Sequence, residues 1–237
     1  MALPFKLVSA DSHIVEPPKL WIDRIERRFA DRAPTILNGS VTDYFVADRT
    51  APGAQAEKMG GIGLVATKRK YDDPEARDFN HKGRWTEVPE PGYDPQRREQ
   101  ELDREGIEAE LIYPSFGLLM YDIPDREYRY ACFRAYNGWI AEYCSAAPKR
   151  LFGIAMIPTD DVERDAAELE RCARLGLRGA MISISQGSGK SYGDPEFDRL
   201  WATAAENGMP ISLRVAASET GFQMTGRFPA LRRRLAE

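Results

Sequence analysis

The sequence predicts an α/β fold built on a parallel sheet, and three observations predict it. From Asp94 onward, short apolar runs alternate with segments of helical periodicity. Helix starts carry Asp-Pro or paired Asp, and helix ends carry Gly. The first apolar run ends in a carboxylate and an imidazole, Asp11 and His13, two residues apart, so both leave a strand on the same face. A pair of this kind can grip one side of a divalent ion, and the C-terminal rim of a β/α barrel is where such groups usually sit.

Taken in order, Phe5–Ala10 reads as a buried strand running into Asp11-Ser12-His13-Ile14-Val15-Glu16-Pro17-Pro18. Residues 29–93 then break the rhythm. They are rich in Gly, Pro and charge, with one short strand expected over Val41–Val46, and an insertion there would cover the barrel rim as a lid. Asp94-Pro95 opens a helix through Leu102 that stops at Gly106, with Asp as N-cap and Pro at the first helical position. Ala109–Pro114 is the second strand of the sheet. A longer helix after Asp125 places Tyr128, Ala131, Cys132, Ala135, Tyr136, Trp139, Ile140 and Tyr143 on one face and ends before Pro148. Phe152–Pro158 is the third strand, Asp160-Asp161 opens a helix ending at Gly176, and Gly179–Ser185 is the fourth strand. Asp194-Pro195 opens the helix carrying Phe197, Leu200, Trp201 and Ala204, Gly208 ends it, and Pro210–Val215 is the fifth strand.

Short connections in a βαβα alternation imply right-handed parallel crossovers. A Rossmann-like sheet is the competing architecture. Against it, no G-x-G-x-x-G follows the first strand, and Gly187-Ser188-Gly189-Lys190 lacks the full phosphate-loop spacing, which leaves it as a rim loop.

A chain of 237 residues suffices for one large domain with a sizeable core, and 43% hydrophobic and 10% aromatic residues fit a globular protein. Formal charge is -4, with 33 basic and 37 acidic side chains, so nothing points to nucleic acid. Lys68-Arg69-Lys70 and Arg232-Arg233-Arg234 read as solvated faces. No stretch approaches the ~18 apolar residues of a membrane span. Cys132, Cys144 and Cys172 lack C-x-x-C spacing and read as reduced thiols in or near the core of a cytoplasmic protein.

The string ADSHIVEPP at residues 10–18 resembles the first metal-ligand motif of the amidohydrolase-related (amidohydrolase 2) family, which includes aminocarboxymuconate-semialdehyde and resorcylate-type decarboxylases and related hydrolases. The likeness continues through Gly92–Pro95, Leu102–Ile107, Ala135–Trp139, Arg150–Gly153 and Pro195–Trp201, in family order and spacing. The resemblance implies a TIM (β/α)8-type barrel. It also implies a divalent metal, zinc or manganese, held by two groups on strand 1, a His on strand 5 and an Asp after strand 8. Asp11 and His13 match the first pair, and Glu16 either joins them as a ligand or fixes the turn before Pro17.

At the strand-5 position this chain carries Arg214. A guanidinium cannot ligate a metal, but it can clamp a substrate carboxylate or pair with Asp11 in place of the metal. Only about five strands are countable against the ~250 residues a full barrel takes, so an incomplete barrel is expected. His81, in the insertion, is either a surface residue or a lid group reaching substrate. Ser115 and Ser185, at strand ends, are pocket-lining positions by barrel geometry. The implied function is metal-dependent hydrolysis or non-oxidative decarboxylation of a small carboxylated or cyclic substrate. It would be carried out by a homo-oligomer or by a hetero-complex in which a second polypeptide completes the site. The alternatives are an inactive binding or scaffold homologue and a truncated fragment.

Overall fold

The computed structural model describes residues 6–40, 42–50, 62, 83–184 and 190–214. Strand β1 is Leu7–His13, followed by a short helix α1 (Leu20–Arg24) and an antiparallel hairpin of β2 (Thr35–Asn38) and β3 (Asp43–Val46). The regular alternation comes next: α2 (Pro95–Glu105), β4 (Ile107–Tyr113), α3 (Arg126–Cys144), β5 (Leu151–Met156), α4 (Val162–Arg174), β6 (Gly179–Ser183), α5 (Asp198–Glu206) and β7 (Ile211–Arg214). Strands β1, β4, β5, β6 and β7 form one parallel sheet in that spatial order.

That sheet is curled. Four inter-strand steps in a flat sheet would separate its outer strands by roughly 19 Å. Here Arg214 at the end of β7 reaches His13 at the end of β1, with 2.8 Å between Nη2 and Nε2. Tyr113 of β4 and Ser212 of β7 also join their hydroxyls at 2.7 Å. Five parallel strands thus form a half-barrel with helices outside, the incomplete TIM-type barrel that the sequence predicts.

Local chemistry explains the helix ends. The Asp94 carboxylate accepts the backbone N–H groups of Gln96 and Arg97, both at 2.9 Å, and Gly106 closes α2 at φ 69°, where a side chain would be strained. Asp125 and Asp161 cap α3 and α4 in the same way. The fifth helix departs from expectation, because Asp194-Pro195 opens a 3-10 turn and α5 starts only at Asp198. The Asp194 carboxylate accepts the Ser191 N–H of the preceding turn and so does not cap the helix.

β5 and β6 are buried almost throughout, as parallel strands between a barrel interior and an outer helix layer must be. The predicted face of α3 is the buried one, and it lies close to β5. A Cβ on Gly153 would sit 2.9 Å from both Ile140 Cγ1 and Leu177 Cδ2. The described part of the insertion joins the same core. Phe45 stacks on Phe116 with centroids 4.7 Å apart, and Trp21 packs on Phe45 at 5.6 Å. Buried Asp43 accepts Arg84 Nη1 at 3.0 Å and the Trp85 N–H at 2.8 Å, tying the hairpin to the end of the insertion. Cys132, Cys144 and Cys172 are buried free thiols. Among the described residues no helix is long and apolar enough to cross a membrane.

Candidate functional site

β1 delivers Asp11 and His13 through an irregular end. Its register slips between Ser9 and Ser12, where three steps on β1 match two on β4. Such a bulge turns the strand and re-aims its side chains, which a plain alternation does not foresee. His13 Nδ1 lies 2.8 Å from the Pro114 carbonyl oxygen. A carbonyl only accepts, so Nδ1 carries the proton and Nε2 offers a lone pair. Arg214 Nη2 donates to that lone pair at 2.8 Å. Burial holds His13 below its ordinary pKa, and the Arg214 charge adds to this against the opposing Pro114 bond. An imidazole that accepts from Arg214 at Nε2 carries no proton on that nitrogen.

Arg214 also donates from Nη1 to Asp11 Oδ1 at 2.8 Å, and its guanidinium carbon lies 4.5 Å from the Tyr113 ring centroid. Asp11 Oδ1 and His13 Nε2 are 3.8 Å apart, so the guanidinium fills the gap between them. Of the two roles open to Arg214 in the sequence, this geometry shows the pairing with Asp11. Arg98 supports the cluster from behind. It pairs with buried Glu110 and donates from Nη1 to the His13 carbonyl at 2.9 Å, which fixes the end of β1.

Glu16 is placed differently. Its fully buried carboxylate accepts the backbone N–H groups of Ser115, Phe116 and Gly117, with 2.9 Å to Phe116 and 2.8 Å to Gly117. Burial pushes it up to about 7 even so. Gly117 has to be glycine here, since an added Cβ would fall 2.7 Å from Met156 Sδ and 2.8 Å from Pro114 Cβ. Ser115 contributes its backbone to this nest. His81, Ser185, Gly187–Gly189 and the Lys68–Lys70 and Arg232–Arg234 clusters lie outside the described residues. Tyr113 and Ser212 belong to the site although the sequence did not single them out. Their signal was position: Tyr113 ends β4, and Ser212 shares a face with Arg214 by period 2.

This is the layout of a strand-end site at the mouth of a β/α barrel, and the sequence of the family described as Amidohydrolase matches residues 73–236, more than half of the chain. The chain belongs to the amidohydrolase family. Similar curated proteins include the gamma-resorcylate decarboxylases of Rhizobium radiobacter, 29% identical over 118 residues, and Rhodococcus jostii (strain RHA1), 33% identical over 121 residues. Each match covers 47% of this amidohydrolase chain and 36% of the relative, so it spans about a third of those relatives' length.

Among solved structures, an amidohydrolase from Mycobacterium avium subsp. paratuberculosis K-10 superposes with TM-score 0.69 at 19% identity, covering 97% of this chain and 63% of that one. A 2,6-dihydroxybenzoate decarboxylase complexed with 2,6-dihydroxybenzoate gives 0.54 at 20% identity, covering 95% and 55%. A dihydroxybenzoic acid decarboxylase from Polaromonas sp. JS666, with bound manganese and 2-nitroresorcinol, gives 0.53 at 18% identity, covering 95% and 54%. At these identities the structural likenesses speak for the fold, and the Polaromonas decarboxylase among them binds manganese.

The residues described in this amidohydrolase do not fit such a metal as they stand. Both donors from β1 face Arg214 nitrogens at 2.8 Å, the distance of a hydrogen bond. A permanent cation lies where a second cation would have to enter. Among the described residues no group of three or more His, Cys, Asp or Glu side chains could hold a metal ion, so Asp11, His13 and Glu16 do not converge as a ligand set. Glu16 is taken by the three backbone N–H groups instead.

Proposed function

We propose that this chain forms the substrate-site wall of an amidohydrolase-family enzyme acting on a small carboxylated, cyclic compound. The reaction class is hydrolysis or non-oxidative decarboxylation. The observation that carries this reading is the Asp11–Arg214–His13 cluster at the C-terminal ends of β1 and β7, which is where barrel enzymes place their chemistry. The decarboxylase relatives supply the substrate class, and Arg214 supplies a cation suited to a carboxylate. Zinc or manganese enters this reading only if Arg214 is displaced from Asp11 and His13.

In this reading the chain works as a homo-oligomer or with a related subunit. Supporting it, β1 and β7 have a strand neighbour on one side only among the described residues. A second reading, a carboxylate-binding homologue without turnover, is favoured by one observation: the two groups best placed to hold a metal are both bonded to Arg214.

The deciding experiment incubates the purified chain with a panel of hydroxybenzoates, including 2,6-dihydroxybenzoate, and of cyclic esters and amides, with and without manganese. Release of carbon dioxide or ring opening supports the enzyme reading. Binding of a panel member without turnover in either condition overturns it in favour of the second reading.

A further inference from the structure

The geometry points to a guanidinium-centred carboxylate site in this chain, in which Arg214, oriented by Asp11, His13 and Tyr113, takes a small carboxylate ligand without a divalent ion. The inference rests on the family reading above and gives its site a ligand chemistry. Arg214 is held on three sides: Nη1 by Asp11 Oδ1, Nη2 by His13 Nε2, and its face by the Tyr113 ring. A guanidinium carries five N–H groups. Asp11 and His13 take one from each Nη, which leaves the Nε–H and a second hydrogen on each Nη. A quarter of the side chain is open to solvent, so these donors can be reached.

The surroundings favour an anion over a cation. With Nδ1 on the Pro114 carbonyl and Nε2 accepting from Arg214, His13 has no lone pair left to offer an entering cation. Asp11 is well exposed, so water screens its repulsion of an incoming carboxylate, while Arg214 is three-quarters covered. The charged partner of Arg214 is thus the more solvated of the two, and a ligand carboxylate can share the guanidinium with it. A divalent ion, by contrast, would have to displace Arg214 from both donors and then sit beside its charge.

The test uses the full chain, treated with chelator and dialysed, with benzoate as the probe, followed by calorimetry or ligand-observed NMR. Benzoate is expected to bind without metal, and Arg214→Gln is expected to weaken it at least about tenfold, the loss of a charge-assisted pair. Asp11→Asn should do the opposite and tighten benzoate several-fold, since it removes the competing carboxylate. A residue that merely stapled β7 to β1 would not give that gain, and the Asp11 variant also covers the case that Arg214→Gln fails to fold. In a parallel titration, wild-type chain should hold well under one manganese ion per chain. Arg214→His should raise zinc affinity at least about tenfold by adding a nitrogen donor and removing the cation.

Benzoate binding that needs manganese, or that is unchanged in both Arg214→Gln and Asp11→Asn, overturns the inference, as does a stoichiometric manganese ion in the dialysed wild type. The two readings fail separately. Manganese-dependent turnover would sink the metal-free site and leave the enzyme reading standing. Metal-free benzoate binding without turnover of any panel compound would do the reverse.

Discussion

Asp165 lies under the first turn of α4, buried, with Oδ2 accepting the Asp161 N–H at 3.0 Å. Burial pushes its carboxyl up to about 7, against that hydrogen bond, and the nearby Asp160 and Asp161 charges add to the rise. The unfolded chain releases the proton near pH 3.9, so between there and 7 the folded state binds more protons than the unfolded one. Stability therefore falls as pH rises through this window and levels off above it. Asp165→Asn keeps an acceptor for Asp161 and cannot ionise. Urea unfolding at pH 5 and pH 8 should show the wild type losing up to about 3 kcal/mol more than the variant, and equal losses would refute the buried-acid assignment.

Gly117 gives a steric counterpart. Gly117→Ala should cost about 1–3 kcal/mol in the same assay, because Pro114 is part of a ring and Met156 is packed on all sides. Residues of this kind were only partly legible in the sequence. Asp11 and His13 could be read because period 2 and a strand end are local facts, and Arg214 because it stands where a His was expected. The role of Glu16 could not, since its three partners come from a segment about a hundred residues away.

At the scale of elements, Asn137 joins two layers. From the middle of α3 it donates from Nδ2 to the Met156 carbonyl at 3.0 Å and accepts the Met156 N–H at 2.7 Å, closing off the last residue of β5. The same Nδ2 lies 3.0 Å from Glu168 Oε1 of α4, and the Glu168 carboxylate also pairs with Arg134 through Oε2 and with Arg171. Asn137→Ala should cost at least about 2 kcal/mol, because it leaves buried donors and acceptors unpaired. Hydrogen exchange at the Met156 amide should quicken more than at β4 amides. Equal protection at Met156 would show that water or a rearrangement replaces the side chain.

The sequence predicted most elements because their caps are local chemistry, as Asp94, Gly106, Asp125 and Asp161 show. It missed β2, four residues between Pro34 and Gly39, whose strand character comes from pairing Thr35 with Val46 and Asn38 with Asp43. It placed the start of α5 early because Asp194 had two possible partners, and the nearer turn took it.

For the molecule as a whole, the curled sheet leaves apolar side chains open at its two outer strands, with Val8 56% and Leu213 59% exposed. Exposed strand edges with apolar side chains favour association. Sedimentation velocity at micromolar concentration should show a dimer or larger species, and Val8→Lys together with Leu213→Lys should shift it toward monomer. A wild-type chain that stays monomeric across that range would count against shared subunits.

The order of the strands in the sheet also bears on how the chain reaches this shape. Ile154 pairs with Gly179 and Ala180 with Ile211, so β5, β6 and β7 can zip up from near neighbours. Leu7 pairs with Ile107, across the whole hairpin and insertion. Distant pairings are slow to form because a long loop must close before any contact rewards it. On that ground β1 is expected to dock after β5, β6 and β7, and it brings Asp11 and His13 with it. The anion site would be absent from any form in which β1 is undocked, and a ligand that grips Arg214 together with its two companions would select the finished protein from such unfinished copies.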